Sequence, residues 1–213
     1  MQQDAVYLVT QEDLSAGRPT LEIVEQAIRG GVDVIQLREK DCPARTRYTL
    51  GHDILEVVDG TDVTFIVNDR IDIARAIGAD GVHLGDEDLP IRIAREQLGA
   101  DAIIGRSVST TEDAQAAEAA GADYLGVGSI YTTDSKDTDP AETDIGLETI
   151  TAIRRHVDIP IYAIGGITTE NAADVAAAGA TGVAVITAIT MADDPAEATQ
   201  QLSAAVKKGR DDQ

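Results

Sequence analysis

Short apolar runs rich in β-branched residues recur along the chain at intervals of about 20 to 30 residues. Each run is followed by a segment in which apolar residues return with the period of an amphipathic helix. The predicted strands are residues 6–9, 32–37, 64–67, 81–84, 102–104, 124–127, 161–164 and 182–185. Eight strands alternating with helices in 213 residues predict an α/β protein with a single (β/α)8 TIM barrel. A doubly wound open sheet, which usually has fewer strands, is the alternative.

The helix ends repeat in a way that supports one recurring βα unit. The segments "TTEDAQAAEAAGAD" at 110–123 and "TTENAADVAAAGAT" at 168–181 open with Thr, a preferred N-cap, and close on Gly, a preferred C-cap. No linker or low-complexity tract separates two halves of the chain. We therefore predict one barrel domain over residues 1–206 and a frayed, charged tail over 207–213.

Charge and cysteine content exclude several classes of partner. The chain has 38 acidic and 17 basic residues, a formal net charge of −21, so we expect it to bind neither nucleic acid nor an anionic membrane. No apolar run approaches the ~20 residues that span a bilayer, and the polar start is no signal peptide, which predicts a cytoplasmic protein. Cys42 is the only cysteine, so an intrachain disulfide is excluded. Acid enrichment with few lysines is typical of proteins adapted to high salt; an ordinary acidic protein is the alternative.

The stretch "VIQLREK" at 34–40 places cations directly after a core strand. With a strand period of two, Gln36, Arg38 and Lys40 share one face. Ile35, Leu37 and Glu39 share the other face. If the apolar face packs against helices, the polar face points into the barrel mouth and forms an anion site. The alternative is a solvated strand end in which Glu39 pairs with a neighbouring cation.

Carboxylates follow the next two predicted strands. Asn68 and Asp69 come directly after the third strand, and Asp86, Glu87 and Asp88 follow the fourth. Carboxylates from neighbouring strand ends suit Mg²⁺ when a phosphate completes its ligand shell. The alternative is that Asp69 and Asp88 are helix N-caps.

Glycines and one long loop mark the other end of the chain. Gly165 and Gly166 follow the seventh strand, and Ile186 and Thr187 follow the eighth, which is where many barrels hold a phosphate. A left-handed turn would also require glycine. The segment 128–146 after the sixth strand is long enough to predict a functional loop.

The histidines predict no catalytic triad. His52 and His156 lie in helical patterns and are expected at the surface or in packing, and His83 is expected to be a satisfied core histidine. The chemistry is therefore expected to use cations and carboxylates.

Seven motifs occur in one order along nearly the whole chain: "QLREK" at 36–40, "ND" at 68–69, H-x-G-x-x-D at 83–88, "GRS" at 105–107, "GVGSIYTTDSK" at 126–136, "AIGGI" at 163–167 and "GVAVITAI" at 182–189. Together they resemble the thiamine phosphate synthase family. The resemblance implies a (β/α)8 transferase of thiamine biosynthesis that joins hydroxymethylpyrimidine diphosphate to hydroxyethylthiazole phosphate, releases pyrophosphate and uses Mg²⁺. The expected partners are these small molecules; a homo-oligomer is compatible with the resemblance.

The resemblance also assigns roles to residues that match the motifs. The pyrimidine diphosphate is assigned to Gln36, Arg38, Glu39, Lys40, Asn68, Ser107 and Lys136. The thiazole phosphate is assigned to Thr133, Ser135, Gly166, Ile186 and Thr187, and Mg²⁺ is assigned to Asp69 and Asp88. Arg38, Lys40 and Lys136 are the expected catalytic residues, because positive charge would stabilise the departing pyrophosphate. The loop that carries Lys136 is expected to close over the bound diphosphate.

The chain departs from the family pattern at several positions. Asp86 stands where Gln is usual, Ser129 where Pro is usual and Ser109 where His is frequent, and Ser135 and Thr187 are hydroxyl replacements. A related thiazole-phosphate tautomerase would use a histidine where this chain has Ser109, which disfavours that function. Two more functions fit a barrel with phosphate sites. One is a non-catalytic phosphate-binding protein, and the second is a sugar-phosphate isomerase or epimerase, which would need a base at a strand end.

Overall fold

A closed barrel of parallel strands forms the centre of the computed structural model, which describes residues 4–133 and 144–211. The strands are β1 (Ala5–Val9), β2 (Val34–Leu37), β3 (Thr64–Asn68), β4 (Gly81–Leu84), β5 (Ile103–Val108), β6 (Tyr124–Val127), β7 (Ile161–Ile164) and β8 (Gly182–Val185). They pair in sequence order, and β8 pairs with β1. Because every strand has two neighbours, the predicted TIM barrel is confirmed and an open sheet is excluded.

Helices follow the strands and surround the barrel. They are α1 (Thr20–Arg29), α2 (Ala44–Val58), α3 (Ile71–Ile77), α4 (Ile91–Leu98), α5 (Thr111–Ala119), α6 (Gly146–Arg154), α7 (Ala172–Ala177), α8 (Thr187–Thr190) and α9 (Pro195–Asp211), with a 3-10 turn at Glu12–Leu14. In the described part of the chain, each helix is either too short or too polar to cross a membrane.

Two apolar clusters divide the core between the inside and the outside of the barrel. Tyr7, Tyr124 and Tyr162 dominate the inner cluster, with ring centroids 5.5 to 6.0 Å apart. Tyr7 on β1 and Tyr124 on β6 meet although their strands are not neighbours, so this contact crosses the barrel interior. Ile35 and Leu37 lie in the outer cluster between the sheet and the helices. The two faces predicted for β2 are therefore found.

The fifth strand is longer than its apolar run predicted. It continues beyond residue 104 because Arg106 pairs in register with Leu84 of β4 and Ser107 pairs with Gly126 of β6. Backbone hydrogen bonds to β4 and β6 thus extend the strand even though Arg106 and Ser107 have polar side chains. Ser107 is consequently held on a strand rather than on a loop.

Only one of the two predicted threonine caps is found. The side chain of Thr110 accepts a hydrogen bond from the amide of Asp113 at 3.1 Å and caps α5. The prediction for the second segment is wrong, since α7 has Asn171 at its N-cap position. There Oδ1 of Asn171 accepts a hydrogen bond from the amide of Thr168 at 2.8 Å, which forms a separate turn before the helix.

The prediction of a frayed tail is also wrong for residues 207–211, which continue α9. Gly209 is buried against α7, where a β-carbon would lie 2.0 Å from the carbonyl oxygen of Ala173. Arg210 forms an ion pair with Asp4 next to β1. Close backbone packing and a paired arginine therefore hold a segment whose composition alone suggests disorder.

Candidate active site

The residues after β2 reach the carboxyl-terminal rim of the barrel. Gln36 is buried, and its Nε2 donates a hydrogen bond to Oη of Tyr7 at 2.6 Å. Arg38 lies just beyond the strand, with its Nη1 donating to Oε1 of Gln11 at 2.7 Å. Lys40 is exposed. Gln36 thus points into the barrel as predicted, whereas Arg38 and Lys40 lie beyond the end of the strand, at the edge of the barrel.

Glu39 holds the adjacent segment in place. Its Oε2 accepts a hydrogen bond from the amide of Glu12 at 3.0 Å, and its Oε1 accepts one from Oγ1 of Thr20 at 2.9 Å. These contacts connect the rim after β2 to the 3-10 turn after β1 and to the first residue of α1. The carboxylate therefore supports the rim that carries Arg38 and Lys40.

Asp69, at the end of β3, is paired with an arginine that the sequence did not single out. Its Oδ1 lies 3.2 Å from Nη1 of Arg47, and its Oδ2 accepts a hydrogen bond from Nδ2 of Asn68 at 3.1 Å. Arg47 is only 5% exposed and also donates from Nη2 to the carbonyl oxygen of Lys40 at 2.8 Å. One side chain of α2 thus connects the ends of β2 and β3.

The backbone of Asp69 is unusual for a residue with a side chain. Its φ of 57° lies in the left-handed region, which Asp tolerates better than most residues. Its amide donates a hydrogen bond to the carbonyl oxygen of His83 on β4 at 2.9 Å. Strained backbone that the surrounding structure holds in place is typical of functional sites.

Asp69 and Asp88 lie close enough to interact electrostatically. Burial raises the pKa of Asp69; Arg47 opposes this rise, the like charge of Asp88 adds to it, and Lys40 lowers it again. Neither carboxylate is an N-cap, because α3 begins after Arg70 and α4 begins after Pro90. The N-cap alternative is therefore excluded, and both acids remain available as metal ligands.

Asp88 shapes the turn that joins β4 to the site. Its Oδ2 accepts a hydrogen bond from the amide of Gly85 at 2.6 Å. The carbonyl oxygen of Gly85 accepts a hydrogen bond from Nη1 of Arg106 at 2.6 Å, and Nη2 of the same arginine lies 3.0 Å from Oδ1 of Asp86. Asp86, the family departure beside the proposed metal, is thus paired with a cation on β5.

A cavity of about 710 Å³ opens at the same rim, over the ends of β4 to β8. Its lining includes Ser107 on β5 and four of the residues assigned to the thiazole phosphate: Thr133, Gly166, Ile186 and Thr187. Ser109 and Ser129, two of the departures from the family pattern, line it as well. The cations after β2 and the acid after β3 are not part of this lining, so the rim has two adjoining parts.

The paired glycines after β7 have positive φ angles, which glycine adopts more readily than other residues. Gly165 and Gly166 have φ of 104° and 62°, and a β-carbon on Gly166 would lie 2.7 Å from Cβ of Tyr131. The carbonyl oxygen of Gly165 accepts a hydrogen bond from the amide of Tyr131 at 3.1 Å, and that of Gly166 accepts one from Nδ2 of Asn171 at 3.0 Å. The turn therefore requires glycine, as one interpretation of this motif held, and it also lines the cavity, so the phosphate interpretation stays a prediction.

The histidines have the structural roles expected of them. Nδ1 of His83 lies 3.0 Å from Oη of Tyr124, and its Nε2 lies 2.9 Å from Oγ of Ser107. His83 is buried, whereas His52 and His156 are exposed on α2 and after α6. The prediction of a satisfied core histidine at position 83 is therefore correct.

Two of the predicted site residues, Ser135 and Lys136, lie outside the described residues. So does most of the loop between β6 and α6. Their assignments stay predictions.

Sequence reasoning missed two arginines and one chain of contacts. Arg47 occupies the buried stripe of α2 with Gly51, Ile54 and Val58, and an arginine at such spacing is the signal that marks it. Arg106 stands in the "GRS" motif, but nothing in the sequence indicates its partner Asp86, which follows the neighbouring strand β4. The contacts of Tyr7 and Tyr124 likewise exist only in the closed barrel.

The model of one protein family, described as thiamine monophosphate synthase, matches residues 6–189. The chain belongs to this family. The recognition made from the seven motifs is thereby confirmed, and the chain is a transferase of the thiamine monophosphate synthase type.

Similar proteins span the same length as this family member. The thiamine-phosphate synthase of Natronomonas pharaonis is 60% identical over 208 residues, which cover 97% of both chains. That of Haloarcula marismortui is 61% identical over 206 residues, covering 96% of this chain and 98% of the relative. Among solved structures, the thiamine phosphate pyrophosphorylase from Pyrococcus furiosus superposes with a TM-score of 0.87 at 41% identity, covering 96% of each chain.

Proposed function

We propose that this family member condenses hydroxymethylpyrimidine diphosphate with hydroxyethylthiazole phosphate to give thiamine monophosphate and pyrophosphate, by a dissociative substitution assisted by Mg²⁺. The observation that carries the proposal is the division of the barrel rim into two adjoining parts. Cations and carboxylates follow β2, β3 and β4, and the cavity with its paired glycines lies beside them. The first part suits a diphosphate with a divalent ion, and the second suits a heterocycle with one phosphate.

The diphosphate would bind at the ends of β2 and β3. Arg38 and Lys40 supply positive charge there in a molecule whose net charge is −21. Glu39 and Arg47 hold these two residues in place through their contacts with the neighbouring segments. The pyrimidine ring would lie deeper, toward the buried Gln36 and the nearby Asn68. Ser107 lines the adjoining cavity and would contact the same ligand from there.

The donor set at the ends of β3 and β4 fits Mg²⁺. Asp69 and Asp88 are hard oxygen donors, and their mutual repulsion favours a cation between them. Among the described residues no group of three or more His, Cys, Asp or Glu side chains is arranged to hold a metal. Two carboxylates would therefore bind the ion together with diphosphate oxygens and water, which is how Mg²⁺ is usually held. When bound, Mg²⁺ would neutralise charge that develops on the pyrophosphate.

The thiazole phosphate would bind over β7 and β8. The backbone at Gly166 allows a phosphate to approach closely, and Ile186 and Thr187 follow β8 at the start of α8. Thr133 lines the same cavity. Ser135 would act with it from the loop after β6. The thiazole nitrogen would then lie beside the pyrimidine methylene carbon.

The proposed chemistry needs electrostatic stabilisation and no general base. Cleavage of the C–O bond leaves positive charge on the pyrimidine methylene carbon and negative charge on the pyrophosphate. Arg38, Lys40 and, from the loop, Lys136 would stabilise that leaving group. The thiazole nitrogen attacks through a lone pair and carries no proton, so no base has to remove one. This agrees with a buried His83 whose two ring nitrogens both contact protein groups.

The test is to incubate the purified chain with both heterocyclic phosphates and measure pyrophosphate and thiamine monophosphate. We expect both products only when both substrates and Mg²⁺ are present. Pyrophosphate released without thiamine monophosphate would indicate a hydrolase, and no release would reject the proposal. Each substrate alone and chelation of the metal are the controls.

A matched pair of variants tests the metal assignment. Asp88→Asn removes a proposed ligand while its side-chain oxygen can still accept the hydrogen bond from Gly85. Asp86→Asn removes an acid two residues away that pairs with Arg106 instead. We expect Asp88→Asn to raise the Mg²⁺ concentration needed for half-maximal rate by about tenfold or more, and Asp86→Asn to leave it nearly unchanged. Equal effects of the two variants would reject the assignment.

A further inference from the structure

A continuous row of polar contacts crosses the inside of the barrel. Nε2 of Gln36 lies 2.6 Å from Oη of Tyr7, which lies 2.8 Å from Oη of Tyr124. From there the row continues over 3.0 Å to Nδ1 of His83 and over 2.9 Å from its Nε2 to Oγ of Ser107. The five residues come from β2, β1, β6, β4 and β5. We call this row the interior relay.

Glycines on β5 and β6 leave space for two side chains of the interior relay. A β-carbon at Gly105 would lie 2.1 Å from Cζ of Tyr124. A β-carbon at Gly126 would lie 2.9 Å from Cε1 of His83. Tyr7 and Tyr124 are 2% and 0% exposed, so their hydroxyls must find partners inside the protein. Burial also raises the pKa of both tyrosines well above the ordinary value, which keeps both hydroxyls protonated.

One direction of donation lets each buried phenol hydroxyl in the interior relay both accept and donate a hydrogen bond. The amide nitrogen of Gln36 can only donate, so Oη of Tyr7 accepts. Tyr7 can then donate to Tyr124, and Tyr124 to Nδ1 of His83. Nδ1 must be unprotonated to accept, so the neutral imidazole carries its hydrogen on Nε2 and donates it to Oγ of Ser107. In this arrangement each phenol hydroxyl accepts once and donates once.

We infer that Tyr7, Tyr124 and His83 are positioning residues that set the hydrogen-bonding direction of Ser107. Because Oγ of Ser107 accepts from His83, its own hydrogen points elsewhere, and Ser107 lines the cavity. Ser107 therefore faces the ligand as a hydrogen-bond donor, as a diphosphate oxygen requires. The same row holds the amide of Gln36, so the two ends of the pyrimidine diphosphate site are coupled through the barrel interior.

The inference rests on the proposed function for the identity of the ligand, and its first test needs no ligand. Nitrogen-15 NMR of the wild-type chain reports which imidazole nitrogen of His83 is protonated, with His83→Gln assigning the signal. We expect protonation on Nε2 with Nδ1 unprotonated. Protonation on Nδ1, or on both nitrogens, would overturn the relay.

The kinetic test removes one hydroxyl and keeps the ring. In Tyr124→Phe we expect KM for the pyrimidine diphosphate to rise by about tenfold, from the loss of a buried hydrogen bond. The KM for the thiazole phosphate should stay within about twofold, because residues assigned to it lie outside the relay. Thr199→Val is the matched control, since it removes a buried hydroxyl that donates to the carbonyl oxygen of Pro195 within α9.

The outcomes separate a positioning role from general destabilisation. If both KM values change together in Tyr124→Phe, or if neither changes, the positioning role is rejected. If Thr199→Val shows the same selective rise, the effect is one of stability and the inference is again rejected. If the wild-type chain makes no thiamine monophosphate, the proposed function fails, and the tautomer of His83 alone decides whether the relay exists.

Discussion

Arg47 on α2 and Asp69 at the end of β3 form an ion pair of 3.2 Å in which the arginine is almost completely buried. The same guanidinium donates to the carbonyl oxygen of Lys40. One side chain therefore sets the position of a proposed metal ligand and of a proposed catalytic cation. A helix outside the barrel is thus part of the support of the rim.

Arg47→Leu should impair the site and destabilise the fold. It leaves a half-buried carboxylate without its cation, and we expect a loss of about 2–3 kcal/mol in the free energy of unfolding, measured by chemical denaturation. The Mg²⁺ requirement should rise as well. Arg92→Gln is the control, because it removes an exposed ion pair with Glu96 and should cost less than about 1 kcal/mol. Equal stability losses would contradict the structural role.

The Mg²⁺ affinity should depend on pH through Asp69. Burial raises the pKa of this carboxyl group and Arg47 counteracts the rise, so protons compete with the metal at a higher pH than for an exposed aspartate. Affinity should therefore be full above the pKa and decrease as the pH falls through it. Mg²⁺ titrations at a series of pH values from about 4 to about 8 measure this. In Arg47→Leu the profile should move to higher pH; a shift to lower pH would contradict the assigned cause.

Removal of a proposed catalytic cation should lower turnover. We expect Lys40→Ala and Lys136→Ala each to reduce kcat by about a hundredfold or more, by analogy with the loss of one donor to a developing oxyanion. Steady-state kinetics with saturating Mg²⁺ provide the measurement. Lys208→Ala on α9 is the control, because it removes the same charge from an exposed helix position. Near-normal turnover of Lys136→Ala would show that its assignment is wrong.

Gly166→Ala should weaken binding of the thiazole phosphate. The added methyl group would meet Tyr131, and the backbone φ of 62° disfavours any side chain. We expect KM for the thiazole phosphate to rise by about tenfold to a hundredfold while KM for the pyrimidine diphosphate changes little. Gly78→Ala is the matched control. The φ of Gly78 is 76° and nothing lies within 4 Å of the added methyl group, so this variant has only the cost of a side chain at positive φ. If Gly78→Ala raised the KM for the thiazole phosphate as much as Gly166→Ala, the phosphate assignment would be contradicted.

Salt should stabilise this chain. With a net charge of −21 the folded state repels itself, and mobile cations screen that repulsion. We expect Tm to rise by about 5 °C between dilute buffer and molar KCl. A melting curve that does not respond to salt would remove the proposal of salt adaptation and leave an ordinary acidic protein.

The barrel could be predicted from the local pattern of apolar and polar residues along the chain. Each strand is a short apolar run, and the helix stops recur at fixed positions, so the number and order of elements follow from the sequence. The errors lie at element ends. Ser107 lies on a longer β5 because of its two neighbours, and Arg210 lies in a longer α9 because Asp4 is close to it in space.

The sequence by itself determined the fold class and the family, because apolar runs, helix stops and motif order are local features. The tertiary structure alone decided which side chains meet. Arg47 reaches Asp69 and Arg106 pairs with Asp86 because neighbouring elements pack together. Tyr7 meets Tyr124 only because barrel closure brings β1 and β6 to opposite sides of one interior. Hydrogen bonds and ion pairs depend on distances of a few ångströms, which sequence spacing does not specify between separate elements.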